Sequence, residues 1–335
     1  MIAMSCDLQG LIQSFFLKRL MNQKQASPCT IASYRDTFRI LLKYMRDEKC
    51  VAPSCLTIAM LEAPVIVDFL NYLQKHRGNS AKTVNQRLAA IHSFFDYVSY
   101  EQPEYIAAAK RVLGVPFRNT EKRVVNYFTE DDMASLLSSC DTSTRHGRRD
   151  RVIILLLYNT GIRVSELTGL RWRDVVLPPN RAGHIRVLGK GRKERAVPLW
   201  RTTQENLSEY SSEQGFQADD HVFPSERGGP MTRSGVRYRL NVVLAKAANA
   251  YPALANKRIS PHIFRHTTAM HLLQAGVDLS TIALWLGHES LNTTHQYMEA
   301  DLRLKERALA KASEPSGSGF RYQPSGDILS FLDSL

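Results

Sequence analysis

Residues 259–297, ISPHIFRHTTAMHLLQAGVDLSTIALWLGHESLNTTHQY, set polar groups between apolar turns, and the rest of the chain is organised around them. Pro261 suits the first turn of a helix, where its missing N–H is one that no helix would pair. The orphan donors of that turn lie beside His262 and Arg265, and such an end attracts anions. Gly276 suits the left-handed residue that closes this helix. Asp278 suits the N-cap of the next, whose apolar face is Leu279, Ile282, Trp285 and Leu286. Gly287 ends that second helix and leaves His288 at its lip. Eight residues separate His288 from Tyr297, room for a polar connection and about two helical turns, so the tyrosine can fold back toward the histidines. His262, Arg265, His288 and Tyr297 can each handle a phosphate or a proton.

Upstream, the 335 residues are enough for two domains, each with its own core. From Leu8 to about Lys110 the periodicity is helical. Leu8, Leu11, Ile12 and Phe15 mark a first helix, and Ile31, Tyr34, Phe38, Leu41, Leu42 and Met45 a second after Ser27 and Pro28. Ile66, Phe69, Leu70 and Leu73 mark a third, and Val84, Leu88, Ile91, Phe95 and Val98 a fourth after Ser80. This predicts a helical bundle over residues 1–113. Residues 114–124 read as an extended basic linker, able to pass along a duplex while two domains close around it. The second domain, 125–313, opens at Thr129 with Glu130, Asp131 and Asp132 in its first turn, where negative charge favours the helix dipole. The stretch from Asp150 to Tyr158 reads as a buried helix or strand, and helix is preferred because the pattern around it lacks turn residues until Gly161. Val175–Leu177, His184–Leu188 and Glu194–Leu199 predict a small three-stranded antiparallel sheet, with Lys190 at a glycine-flanked hairpin tip. Helices resume near Thr203, Thr232 and Pro261. The fold class is therefore mainly α. Residues 314–335 read as a flexible Gly/Ser linker and a short amphipathic helix that must dock to be ordered.

The net charge of +12 divides as +5 over residues 1–115, +9 over 116–313 and −2 over the tail. Two basic segments in series suit a polyanion such as DNA, although charge alone would also fit a merely basic protein. The five cysteines form no C-x-x-C pair and no even framework, which suits thiols in a reducing compartment. There is no secretory pattern, and the longest apolar run, Val152 to Tyr158, is far short of the ~20 residues that span a bilayer. The expected setting is cytoplasmic, on DNA and away from membranes.

The motifs His262-x-x-Arg265, Leu286-Gly287-His288 and Tyr297 resemble the carboxy-terminal signature of the tyrosine recombinases, the phage-integrase family. Thr160-Gly161-Ile162-Arg163-Val164-Ser165-Glu166-Leu167 resembles its first-arginine motif, and Gly189-Lys190-Gly191 its hairpin lysine. The resemblance implies a site-specific recombinase that cuts and rejoins DNA through a 3′-phosphotyrosyl intermediate, with no cofactor and no metal. It implies that 1–113 is a core-binding, SAM-like domain in which Lys82, Asn85, Gln86 and Arg87 touch DNA. The alternative for these four is a solvated helix face. Arg118, Arg123, Arg192 and Lys193 join them as candidate DNA contacts. The partners implied are double-stranded DNA with paired half-sites and three further copies of the chain, linked through the tail into a homo-tetramer. Partner recombinases are compatible with the resemblance. With no room for an arm-binding domain ahead of Leu8, the expected type is the simple core-site recombinase of mobile elements, serving integration, excision or transposition.

Cutting a phosphodiester without metal needs a nucleophile, charge neutralisation on two oxygens and a proton for the leaving oxygen. Arg163 and Arg265 carry permanently charged forks that fit phosphate, while Glu166 pairs with Arg163 or orients the site. Position in the family motif selects Lys190 as the proton donor over Arg192 and Lys193. His262 is assigned as the base for Tyr297, and His288 as a phosphate donor. His266 and His271 are assigned to the core, with backbone hydrogen bonds. A metal site at His262 and His266 is disfavoured, because Arg265 lies between them and no carboxylate or cysteine of zinc-site spacing joins them. A phenol with a reference pKa of ~10 needs such a base or a cationic pocket to attack at neutral pH. Two rivals are a type IB topoisomerase, which shares this pocket, and a non-catalytic helix-turn-helix protein, which leaves Arg163, Lys190 and Tyr297 without a joint purpose.

Overall fold

A computed structural model describes residues 8–120, 125–179, 181–189, 194–212 and 215–288, together with Thr294 and Tyr297. Lys190, Arg192, Lys193, Arg123 and the tail from 314 lie outside the described residues. The chain divides into two compact units, 1–123 and 124–335.

The first unit is a helical bundle. Helix α1 (Leu8–Ser14) runs on as a π-helical stretch, Phe15–Gln23, and is followed by α2 (Pro28–Asp47), α3 (Ala63–Lys75), α4 (Ala81–Glu101) and α5 (Ile106–Leu113). Local chemistry starts the two long helices where the sequence predicts: the Ser27 and Ser80 hydroxyls accept from the N–H groups of Thr30 and Thr83 at 3.2 and 3.3 Å. The stripe Val84, Leu88, Ile91, Phe95 and Val98 on α4 is buried against α2, α3 and α5. Phe15, Phe38 and Phe94 meet edge to face at centroid distances of 5.2–6.2 Å, the geometry aromatic quadrupoles favour. The helical periodicity up to Lys110 hides the break at Pro103, which separates α4 from α5.

The second unit is mainly helical, with one small sheet. Its first helix, α6 (Glu130–Ser138), starts in a reciprocal cap. Thr129 Oγ1 accepts from Asp132 N–H at 3.2 Å, and the Asp132 carboxylate accepts from Thr129 N–H at 2.8 Å. Helix α7 (Arg145–Thr160) opens with charged residues, but its run from Val152 to Leu157 is buried on every side, and α9 (Arg201–Ser212), α10 (Arg233–Ala250) and α11 (Pro261–Gln274) all pack on the helix. Gly161, at φ +58°, closes α7 and turns the chain into α8 (Val164–Gly169). The sheet has the order β1-β2-β3, with strands Val175–Val176, His184–Leu188 and Glu194–Pro198, all antiparallel. Strands β2 and β3 pair from His184↔Pro198 to Leu188↔Glu194. Helix α12 (Leu279–Leu286) starts on the Asp278 carboxylate, which accepts from Thr281 N–H at 2.9 Å, and ends at Gly287 with φ +66°. Gly276, at φ +89°, follows α11 as expected. Among the described residues no helix is long and apolar enough to cross a membrane.

Candidate active site

The site is built on the carbonyl end of α12. A helix leaves its last carbonyls without partners and carries partial negative charge there, and three guanidinium groups answer it. Arg195 Nε donates to Trp285 O at 3.2 Å, Arg265 donates to Leu286 O at 2.6 Å, and Arg163 donates to Gly287 O at 3.0 Å. Arg265, on α11, is 6% exposed and also donates to Gly161 O at 2.7 Å. The left-handed turn at Gly161 thus points its carbonyl at Arg265, and two residues later it delivers Arg163. A Cβ at position 161 would lie 2.3 Å from a Leu286 methyl, so only glycine lets the α7–α8 turn approach α12 this closely.

Glu166 is the counter-charge. Its carboxylate, 6% exposed, accepts from Arg163 N–H at 3.0 Å, from the Arg163 guanidinium at 2.9 Å and from Arg195 at 2.7 and 3.3 Å. Burial pushes its pKa up, but Arg195 and the Arg163 N–H outweigh that and hold it below the usual carboxylate range. Burial, then the neighbouring charge of Arg163, pulls Arg265 down to about 10, still charged at neutral pH. One buried carboxylate beside three guanidinium groups leaves the pocket positive, and each arginine has five N–H donors, more than these contacts use.

Tyr297 is buried at 1% exposure, in a cluster with Ala269, Met270, Leu273, Ile282 and Leu286. Its hydroxyl lies 3.0 Å from Nδ1 of His266, and its ring lies nearly parallel to that of His288 at 6.4 Å. His288 Nδ1 lies 2.7 Å from the Thr294 hydroxyl. Burial, then Arg265 and Arg163, pushes His288 down to about 4. His262, at the first turn of α11, keeps much of its surface in solvent; partial burial of its ring, then the charges of Arg265 and Arg163, hold it below the ordinary histidine range.

The structure therefore gathers Arg163, Glu166, Arg265, His288 and Tyr297, with His262 at the rim. Two residues of the site differ from or escape the sequence reading. His266, expected in the core on a backbone hydrogen bond, instead pairs its Nδ1 with the Tyr297 phenol. It lies one turn below His262 on the same face of α11, deeper in the pocket where Tyr297 enters. Arg195 was missed, although strand alternation places it on the same side of β3 as buried Val197, and an inward-facing arginine is itself a signal. His271 is half-buried rather than in the core, with Nδ1 2.7 Å from the Tyr158 hydroxyl and a backbone hydrogen bond to Phe128.

The candidate DNA contacts are a mixed set. Lys82 is exposed on α4. Asn85 is committed to the chain itself: it donates to Arg118 O at 2.8 Å and accepts from Arg118 N–H at 2.7 Å, while the Arg118 guanidinium donates to Asn71 at 2.6 Å. These bonds fix the Asn85 and Arg118 side chains within the first unit and tie the chain as far as Arg118 to α4. Gln86 donates to the Ser33 hydroxyl at 3.1 Å, and Arg87 is half-buried, 3.5 Å from the Thr37 hydroxyl.

Residues 126–303 match the Phage integrase family, and residues 14–102 match the Phage integrase N-terminal SAM-like domain. The chain belongs to the phage integrase family, the tyrosine recombinases, and is a DNA strand-exchange enzyme working by site-specific recombination through a tyrosine. It is 46% identical over 329 residues to the putative integrase/recombinase y4rC of Sinorhizobium fredii, covering 98% of each chain. It is 34% identical over 312 residues to the tyrosine recombinase XerD of Listeria monocytogenes, covering 89% of this chain and 97% of XerD. Its fold is like that of the XerH site-specific recombinase bound to palindromic difH substrate, with TM-score 0.69, 22% identity and 86% and 81% of the two chains covered. It is also like that of the Tn1549 transposon integrase bound to transposon right end DNA, with TM-score 0.67, 18% identity and 90% and 99% covered.

Proposed function

We propose that Tyr297 attacks a DNA phosphodiester held by Arg163 and Arg265, forming a 3′-phosphotyrosyl bond and releasing a 5′ hydroxyl that Lys190 protonates. The observation that carries this reading is the convergence of three arginines on the end of α12 beside the buried Tyr297 phenol. Fixed donors of this kind stabilise a pentacovalent phosphate without having to reorganise during the reaction. Arg195 and Glu166 hold Arg163 in place, and His262 and His288 face the phosphate as hydrogen-bond partners. Bond energy is kept in the phosphotyrosine, so a second 5′ hydroxyl reverses the step on another strand.

Exchange between two duplexes needs four such sites, and the chain acts as a homo-tetramer on paired half-sites, with the tail passing between subunits. The biological event is the movement of a mobile element. The y4rC relative, called an integrase/recombinase, and the fold neighbour that is a transposon integrase support this. The two units are taken as a core-binding domain, 1–113, and a catalytic domain, 125–313, joined by 114–124.

The test uses duplexes recovered from a random-sequence pool by binding to the full chain. Two plasmids carrying the recovered site should fuse into one, and Tyr297→Phe should not support fusion. Relaxation of a one-site plasmid without exchange between two sites would instead assign a topoisomerase.

A further inference from the structure

We infer that His266, not His262, takes the proton of the nucleophile: its Nδ1 is the acceptor to which the Tyr297 hydroxyl donates, and it is a catalytic residue of strand cutting. The inference rests on Tyr297 being the nucleophile.

The geometry carries it. His266 Nδ1 and Tyr297 Oη are 3.0 Å apart, within the reach required of a general base, and the rings meet edge to face at 5.6 Å. Both members of the pair are in place before DNA arrives. His262, at the exposed start of α11, makes no hydrogen bond to the phenol among the described residues. His288 has its Nδ1 turned to Thr294. The groups that face His266 are His262 and Arg265 from its own helix, and Tyr297 and His288 from the segment packed against it. Burial first, then His262 and Arg265, holds His266 below the ordinary histidine range, so at neutral pH it is uncharged and has a lone pair to offer.

The step balances without a co-reactant. The Tyr297 O–H bond breaks and its proton moves to Nδ1, while the phenolate oxygen forms the bond to phosphorus. The bond from phosphorus to the 5′ oxygen breaks, and that oxygen takes a proton from the general acid. The imidazolium so formed stands beside Arg265, which favours return of the proton to the phenol when a 5′ hydroxyl attacks in reverse.

Asparagine places an amide where Nδ1 stands, keeping a hydrogen bond to the phenol but unable to take its proton. On a nicked duplex recovered by binding, His266→Asn should form the covalent adduct about 100-fold more slowly than the parent, with unchanged duplex binding. His262→Asn should be less impaired than His266→Asn. A His266→Asn adduct rate within about twofold of the parent overturns the proposal, provided Tyr297→Phe forms no adduct. An adduct with Tyr297→Phe would overturn the nucleophile reading itself. A second measurement stands if His266→Asn does not fold. In the parent chain with nitrogen-15 histidine at pH 7, NMR should show His266 protonated at Nε2 and bare at Nδ1, with the Nδ1 signal moved by Tyr297→Phe. A proton found on Nδ1 overturns the proposal.

Discussion

Replacing Gly161 with alanine tests whether the arginine pocket depends on the close approach of the α7–α8 turn to α12. Two costs add. Holding a residue with a Cβ at φ +58° costs about 1 kcal/mol. The new methyl carbon lies 2.3 Å from Leu286 Cδ2, an overlap that must be relieved inside a packed core for about 1–3 kcal/mol. Gly161→Ala should therefore lose about 2–4 kcal/mol. Leu286→Ala, at a fully buried leucine, should lose about 2–5 kcal/mol through its cavity. In the double variant the overlap is gone, so the loss should fall short of the sum by about 1–3 kcal/mol. All three tryptophans, Trp172, Trp200 and Trp285, belong to the second unit, so urea unfolding followed by tryptophan fluorescence reports that unit alone. Losses that add to within about 0.5 kcal/mol would refute the packing argument.

Glu166→Gln keeps shape but removes the charge between Arg163 and Arg195. It should cost about 1–3 kcal/mol and slow strand cutting at least about tenfold with duplex binding retained; an unchanged adduct rate would remove Glu166 from the positioning of Arg163. The site's neutral histidines should make stability depend on pH. His288 sits at about 4 when folded and about 6.5 when unfolded, so the unfolded chain binds the proton first. Stability is complete above about pH 6.5 and is lost as pH falls toward 4, by at most about 3 kcal/mol from His288, with His262 and His266 acting in the same direction. Urea midpoints that do not move between pH 7.5 and 5 would contradict this.

What sequence alone could read was local. Ser27, Ser80, Thr129 and Asp278 cap helices because each has a side-chain oxygen three residues before an unpaired N–H, and that spacing is visible in the chain. The apolar stripe of α4, the buried run of α7 and the strand pairs follow from periodicity in the same way. Arg163, Arg265, His288 and Tyr297 were legible through motif resemblance, and their convergence on one helix end is a tertiary fact. The partner of a side chain was much less legible. Asn85 looks like a polar group on an exposed face until Arg118, far along the chain, fills both its amide positions. His266 reads as packing because its partner enters from a segment 31 residues later. Arg195 carries a faint signal in strand alternation, but only the fold shows that it shares Glu166 with Arg163.

The central claim is that Tyr297 becomes covalently joined to DNA. The most direct measurement is peptide mapping by mass spectrometry of the denatured product formed between the full chain and a nicked duplex recovered by binding, with excess EDTA present. The expected result is a peptide containing Tyr297 linked to a 3′ phosphate, with a free 5′ hydroxyl on the released strand, and no such product from Tyr297→Phe. A product joined through any other residue, joined to a 5′ phosphate, or formed only when a divalent ion is supplied would contradict the account.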